Sequence, residues 1–138
     1  MRGVGEVAAV QADAADLGQL GDLLPRTVAH AAEQTVEAAR RNVEDARATI
    51  EWADVRTLDA AGDLDFVVMN PPFHDGGAED RRLGLAFIRK GAELLGKGSV
   101  LWCVANRHLP YEADLNAAFR RVRVGDESAG YKVFEATK

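Results

Sequence analysis

Two segments that are apolar on both faces constrain this fold most: LDFVVM at residues 64–69 and SVLWCVAN at residues 99–106. Such strands suit the interior of a parallel sheet, where helices cover both sides. Residues 79–95, between them, have the spacing of an amphipathic helix whose inner face carries Leu83, Phe87, Leu94 and Leu95. A strand, a helix and a second buried strand form a parallel crossover unit, so the sequence predicts an α/β fold.

The remaining segments extend this pattern in both directions. Residues 24–47 are rich in Ala, Glu and Arg with apolar residues three and four apart, which predicts a helix, and residues 48–52 predict a strand. The apolar opening of residues 5–18 allows a first strand. After a third helix at residues 109–121, the strands VRVG and GYKVFEA form an antiparallel pair. We therefore expect one domain, residues 1–138, with a mostly parallel sheet and a C-terminal antiparallel hairpin.

Composition limits the class of protein. With 138 residues, of which 47% are hydrophobic, the chain has enough material for one core. No apolar run is long enough to cross a bilayer, and the first 30 residues lack the layout of a signal peptide, so we expect a soluble cytoplasmic protein without a membrane partner. The single cysteine, Cys103, supports neither a disulfide nor a zinc site, and no metal is predicted.

Charge is unevenly distributed along the chain. Residues 1–69 carry 6 basic and 13 acidic side chains, whereas residues 70–138 carry 11 basic and 9 acidic ones. An anionic partner would therefore meet the second half of the chain.

Polar residues follow three of the predicted strands. Asp54 follows the strand at residues 48–52, residues 70–77 follow the strand at 64–69, and Asn106 and Arg107 end the strand at 99–106. In open α/β sheets, ligands bind outside the carboxyl ends of the strands. We expect these residues to share one rim and to form the ligand site.

The stretch NPPF at residues 70–73 has a specific chemical capacity. Asn70 offers a side-chain carbonyl, and the prolines present backbone carbonyls on a stiff segment that lacks N–H donors. Phe73 adds a flat apolar face. Two acceptors beside a stacking surface suit a planar ring with an exocyclic amine, whose delocalised lone pair must be steered out of the ring plane before it can react. The alternative is that the prolines end a strand and Phe73 packs into the core.

The motif also resembles a known family. NPPF after an apolar strand is similar to the amino-methyltransferase signature of class I S-adenosylmethionine-dependent methyltransferases. FVVMNPPFHDGG, ANRHLPYE and GYKVFEA resemble the bacterial small-subunit ribosomal RNA guanine-N2 methyltransferases of the methyltransferase small domain family. The resemblance is good over residues 35–138 and poor over residues 1–34. It implies a Rossmann-like class I methyltransferase sheet.

The resemblance implies roles for residues around the substrate. Asn70 and Pro71 would orient the guanine amine, with Pro72 completing the catalytic motif. Phe73 would stack on the base, and His74 and Arg107 would contact the substrate. The implied partner is small-subunit ribosomal RNA.

The implied cofactor is S-adenosyl-L-methionine. Asp54 matches the position that meets its adenine ring, and Asn70 would also lie near its methionine part. The glycine-rich loop of the family corresponds to Asp16, Gly18 and Gly21, with Leu20 in the place of the middle glycine. The acid that holds the ribose is expected about 20 residues past this loop. Counting 20 residues from Gly18 reaches Ala38, inside the predicted helix, and Glu33 is the only acid in a suitable place. This short spacing allows a sheet that lacks one N-terminal strand and helix.

These observations leave three functions open. The first is methyl transfer from S-adenosylmethionine to the exocyclic amine of guanine in ribosomal RNA. The second is N-methylation of another amine or amide, such as adenine or protein glutamine. The third is a non-catalytic methyltransferase-like domain that has lost cofactor binding.

Overall fold

The computed structural model describes residues 7–11, 26–30, 33–44, 48–52, 54–59, 62–71 and 78–138. Within these residues, the strands are β1 (Val7–Gln11), β2 (Arg26–His30), β3 (Thr49–Trp52), β4 (Leu64–Asn70), β5 (Leu95–Asn106), β6 (Arg121–Ser128) and β7 (Tyr131–Thr137). The helices are α1 (Glu33–Asn42), α2 (Ala78–Leu94) and α3 (Glu112–Ala118), with a short 3₁₀ helix at Val55–Thr57.

The described strands form one seven-stranded sheet in the order β3-β2-β1-β4-β5-β7-β6. Neighbouring strands from β3 to β5 are parallel, whereas β7 pairs antiparallel with both β5 and β6. The chain runs outward from β2 to β3 in one direction and from β4 to β5 in the other. Because crossovers between parallel strands are right-handed, we expect α1 and α2 to lie on opposite faces. The mostly parallel sheet and its C-terminal hairpin are confirmed.

The N-terminal part of the sheet corrects one prediction. The segment predicted as a helix over residues 24–47 contains β2 at Arg26–His30, and α1 begins only at Glu33. Thr27 pairs with Ala8 in β1 and with Thr49 in β3, so β2 gains backbone hydrogen bonds on both sides. These tertiary contacts outweigh a local helix propensity. The strand that the short spacing left out is therefore present as β2, whereas residues 12–25, between β1 and β2, lie outside the described residues.

The C-terminal elements differ from the prediction mainly at their ends. α3 covers Glu112–Ala118 rather than residues 109–121, because Phe119 adopts an extended conformation and the N–H of Arg120 donates to the carbonyl of Thr137 at 2.9 Å. β5 begins at Leu95, directly after α2. Lys138 Nζ donates to the carbonyl of Leu95 at 2.7 Å, which ties β5 to the end of the hairpin.

The core lies between the sheet and the two helices α2 and α3. Alternate residues of three strands are buried there: Val67 and Met69 in β4, Leu101 and Cys103 in β5, and Phe134 and Ala136 in β7. The predicted inner face of α2 is confirmed for three residues, since Phe87 and Leu94 are buried and Leu83 packs against the cluster, whereas Leu95 is buried as the first residue of β5. Burial raises the pKa of the Cys103 thiol to about 12, as expected for a small core residue.

The opposite face of β4 and β5 is more open. Phe66 is 44% exposed and Trp102 is 36% exposed, and both alternate with the buried residues of their strands. The sheet thus has a closed face under α2 and α3 and a more open face that reaches the carboxyl ends of β4 and β5.

Gly84 sets the distance between α2 and the start of α3. A Cβ atom at this position would lie 2.0 Å from the hydroxyl of Tyr111 and 2.8 Å from its Cζ atom. Tyr111 is 1% exposed, so its ring has little room to move. The glycine is required by this close contact.

We expect Gly84→Ala to lower the free energy of unfolding by about 1–3 kcal/mol, because the added methyl overpacks a closed interface. Urea denaturation measures this loss. Adding Tyr111→Phe to the variant removes the hydroxyl that clashes first and should recover part of the loss. Gly125→Ala is the control, since its Cβ would make only an ordinary contact, 3.6 Å from the carbonyl oxygen of Val133. Equal losses in the two alanine variants would contradict the explanation.

Candidate active site

The carboxyl ends of the parallel strands form one rim of the sheet. Two asparagines, Asn70 and Asn106, end β4 and β5 there. Tyr131, the first residue of the antiparallel strand β7, pairs with Asn106 and so lies at the same rim. The rim predicted from the sequence is therefore present.

Asn70 and Pro71 lie at the centre of this rim. Asn70 pairs with Gln11 of β1 and is partly buried, and Pro71 behind it is buried. Because Met69 is buried under α2 and side chains alternate along a strand, Asn70 points to the more open face, as Phe66 does. The other motif residues, Pro72, Phe73 and His74, lie outside the described residues.

Asp54 lies just past the end of β3 and caps the 3₁₀ helix. Its carboxylate accepts from the backbone N–H of Arg56 at 3.0 Å, and from Nε and Nη2 of that guanidinium at 2.9 and 2.6 Å. These hydrogen bonds lower its pKa to about 2. Asp54 is therefore an ionised acceptor at the rim position expected from the sequence, and Arg56 is a partner that the sequence did not reveal.

Arg107 follows β5 at the rim, but its guanidinium is already engaged. Its Nε donates to the carboxylate of Glu127 in β6, and its backbone N–H donates to the carbonyl of Gly130 at 2.8 Å. The structure thus brings Arg107 to the β6–β7 hairpin, where it fixes the tip of that hairpin to the rim. Glu127 was missed, although the antiparallel pairing of β6 and β7 brings it to the same end of the sheet.

A second contact holds the hairpin from the other face. Lys132 Nζ donates to the carboxylate of Glu112 in α3 at 2.5 Å, and this hydrogen bond lowers the pKa of Glu112. The turn itself contains only Ala129 and Gly130, with φ values of 49° and 85°, between the paired residues Ser128 and Tyr131. A two-residue turn with two positive φ angles is tight, so the hairpin tip is well defined.

The residues predicted for the cofactor loop, Asp16, Gly18 and Gly21, lie outside the described residues. The segment that contains them follows Gln11 at the rim end of β1 and leads to β2. β2 ends at His30, and Glu33, the next acidic residue, begins α1. An acid therefore follows the second strand closely, which the predicted helix had obscured.

The described residues offer hydrogen-bond acceptors at the rim but no metal centre. Among them, no group of three or more His, Cys, Asp or Glu side chains could hold a metal ion. No described helix is long and apolar enough to cross a membrane.

Comparison with known sequences gives a consistent family. Residues 3–135 match the family described as "Methyltransferase small domain". Two curated relatives named "Ribosomal RNA small subunit methyltransferase C" are similar. The one from Shewanella halifaxensis is 39% identical over 79 residues, 57% of this chain and 23% of the relative. The one from Alcanivorax borkumensis is 41% identical over 75 residues, 54% of this chain and 23% of the relative. These alignments cover about a quarter of the relatives' length.

Solved structures share the fold. A 16S rRNA N2 methyltransferase of T. thermophilus, in complex with AdoMet and guanosine, matches with a TM-score of 0.68 at 19% identity, over 100% of this chain and 36% of that chain. A predicted O-methyltransferase from Agrobacterium tumefaciens has a TM-score of 0.68 at 21% identity, over 97% of this chain and 74% of that chain. The class I methyltransferase fold expected from the sequence is thus confirmed.

The acidity of Asp54 can be tested separately from any ligand. We expect Arg56→Ala to raise the pKa of Asp54 from about 2 toward its ordinary value of 3.8, because the side-chain hydrogen bond from Arg56 is the main cause of the shift. Since the folded-state pKa is depressed, the stabilisation by this pair is complete at neutral pH and is lost as pH falls from about 4 to about 2. A carboxyl NMR titration measures the pKa. Arg41→Ala removes the partner of Glu37 instead, so it is the control and should leave the pKa of Asp54 unchanged.

The hairpin turn gives a second test. An alanine with positive φ is strained, so Ala129→Asn should stabilise the protein by about 0.5–1 kcal/mol, because Asn-Gly is the preferred pair for such a turn. Gly130→Ala should destabilise it, because alanine would have to adopt a φ of 85°. Thermal unfolding compares the three proteins. A lower midpoint for Ala129→Asn would contradict this assignment.

Proposed function

Because the chain belongs to the methyltransferase small domain family, we propose that it transfers a methyl group from S-adenosylmethionine to the exocyclic amine of a guanine in small-subunit ribosomal RNA. The observation that carries this proposal is the position of Asn70 and Pro71 at the carboxyl end of β4, in the middle of the rim. The T. thermophilus protein with the same fold was solved with AdoMet and guanosine, which supports this ligand pair. A ribosomal RNA substrate also implies a cytoplasmic protein.

The acceptors at the rim suit this cofactor. The ionised carboxylate of Asp54 lies past β3, where it can accept from the adenine amine, since its side chain is 42% exposed beside Arg56. Asn70 can meet the methionine part from the end of β4. Glu33 follows β2 and is our proposed acceptor for the ribose hydroxyls. The loop with Asp16, Gly18 and Gly21 completes the proposed cofactor site on the sequence pattern.

The reaction needs positioning more than acid or base strength. When bound, S-adenosylmethionine would supply an electrophilic methyl group whose bonding electron pair stays on the sulfur, and the proton displaced from the amine would pass to water. The Asn70 side-chain oxygen and the Pro71 carbonyl would accept the two amine hydrogens. They would turn the nitrogen lone pair out of the ring plane, and alignment of this kind can lower a barrier by several kcal/mol. Phe73 would stack on the base, which must first leave its helix.

A non-catalytic domain is the main alternative. Two features favour it: the short spacing between the glycine loop and the helix, and the leucine at the middle position of that loop. β2 supplies the strand that the short spacing left out. The second rests on Leu20, which lies outside the described residues, so cofactor binding is the measurement that separates the two functions.

We expect S-adenosylmethionine to bind with a micromolar Kd in a calorimetric titration of the folded protein. Absence of binding would contradict the enzyme and favour the non-catalytic domain. Glu33→Gln should weaken this binding, because a neutral amide is a poorer acceptor for two hydroxyls than a carboxylate.

We expect Asn70→Ala to lower methyl transfer to small-subunit ribosomal RNA by about 100-fold or more, since it removes one of two orienting acceptors. Cofactor affinity should change by much less, which separates orientation of the amine from cofactor binding. Transfer of labelled methyl groups to RNA measures the rate, and calorimetry measures the cofactor affinity. Asn116→Ala changes an exposed asparagine of α3, so it is the matched control and should transfer at the wild-type rate. Unchanged transfer in Asn70→Ala would refute its role.

A further inference from the structure

We propose that Tyr131 is a stacking platform for a nucleotide next to the target guanine, so that the substrate is an RNA strand opened over more than one nucleotide. This inference rests on the proposed function, because it assigns a role to the rim beside Asn70. Tyr131 is 48% exposed although it belongs to a strand with neighbours on both sides. A large aromatic ring left uncovered at the rim of a ligand site is the observation that requires explanation.

The sheet fixes the distance from Tyr131 to the catalytic motif. β5 lies between β4 and β7, and neighbouring strands are about 4.8 Å apart, so Asn70 and Tyr131 lie on strands roughly 10 Å apart. Stacked bases in one strand are only about 3.4 Å apart. A ring at this distance meets a neighbouring nucleotide of an opened strand rather than the guanine held at Asn70.

Tyr131 also points to the correct face. The following residues of β7 alternate, with Phe134 buried under the helices and Lys132 bonded to Glu112 of α3 on that same side. Tyr131 therefore points to the opposite face, which is also the face of Asn70. The two side chains can contact one strand of RNA that crosses the rim.

The backbone under the ring is held firmly. The carbonyl of Gly130 accepts from the N–H of Arg107, and Tyr131 is paired with Asn106 on one side and Ser128 on the other. Since Glu127 neutralises Arg107, the local contact to RNA is expected to depend on stacking more than on charge. A rigid ring loses little entropy when a base stacks on it, and such stacking is tolerant of base identity.

The test measures RNA binding by fluorescence anisotropy, using a labelled single-stranded RNA of about ten nucleotides with a central guanosine. Stacking on one ring corresponds to roughly a 5- to 100-fold change in Kd. We expect Tyr131→Ala and Tyr131→Leu to weaken binding within this range, and Tyr131→Phe to retain it. The slope of affinity against salt concentration should stay the same, because no charge is removed. Val124→Ala is the control, since Val124 is also 48% exposed but lies on β6.

A second RNA tests whether Tyr131 contacts the nucleotide beside the guanosine. An RNA with an abasic site beside the guanosine should bind the wild type as weakly as it binds Tyr131→Ala. The loss of binding free energy from the abasic site and the substitution together should then be no larger than the loss from either change alone. Additive losses, unchanged binding by Tyr131→Ala, or no binding of RNA by the wild type would each overturn the inference. Failure of the proposed function would appear separately, as absence of methyl transfer by a wild type that still binds RNA through Tyr131.

Discussion

The parallel pairing of β4 and β5 over α2 is the contact on which the rest of the structure depends. Val67 pairs with Leu101 and Met69 with Cys103, and all four side chains are buried under the helices. A shift of one residue would turn these side chains to the other face and bring the Asn70 amide toward the core. Because the pairing fixes where both strands end, it also fixes the rim. β1 then pairs with β4, and β7 with β5, so the site is assembled from this centre outward.

Three charged side chains that lie around the rim in the described part of the chain are neutralised by neighbours. Asp54 is paired with Arg56, Arg107 with Glu127 and Lys132 with Glu112. Ion pairs at or near the surface contribute little to stability, so the main effect of these three pairs is to orient side chains and hold the hairpin. The described part of the rim therefore presents directed acceptors and an aromatic ring rather than a strong positive field. This character suits recognition of an unstacked base, in a chain whose net charge is −5.

Prediction from sequence succeeded where local pattern and tertiary contacts agree. The strands β4 and β5 were predicted from their continuous apolar runs, the helix α2 from its amphipathic spacing, and the C-terminal hairpin from two short strands joined by a turn. The prediction of a helix was wrong at β2, where Thr27 pairs with residues far away in the chain. Local propensity does not depend on such distant contacts, so it could not predict this strand. For the site, the sequence predicted the rim positions of Asn70 and Asp54. It did not predict Arg56 or Glu127 as partners, because these pairs depend on how the backbone turns after each strand.

By itself the sequence determined the chemistry that the chain carries: an Asn-Pro-Pro-Phe segment directly after a buried strand, and hence two acceptors at the end of a parallel sheet. Alternation along a strand and the direction of parallel strands are enough for that conclusion. Only the tertiary structure decided what surrounds those acceptors. β2 was recruited into the sheet, Arg107 was bound to the hairpin, and Tyr131 was left exposed beside Asn106. These outcomes depend on contacts between residues distant in the chain, and they appear only when the strands have paired.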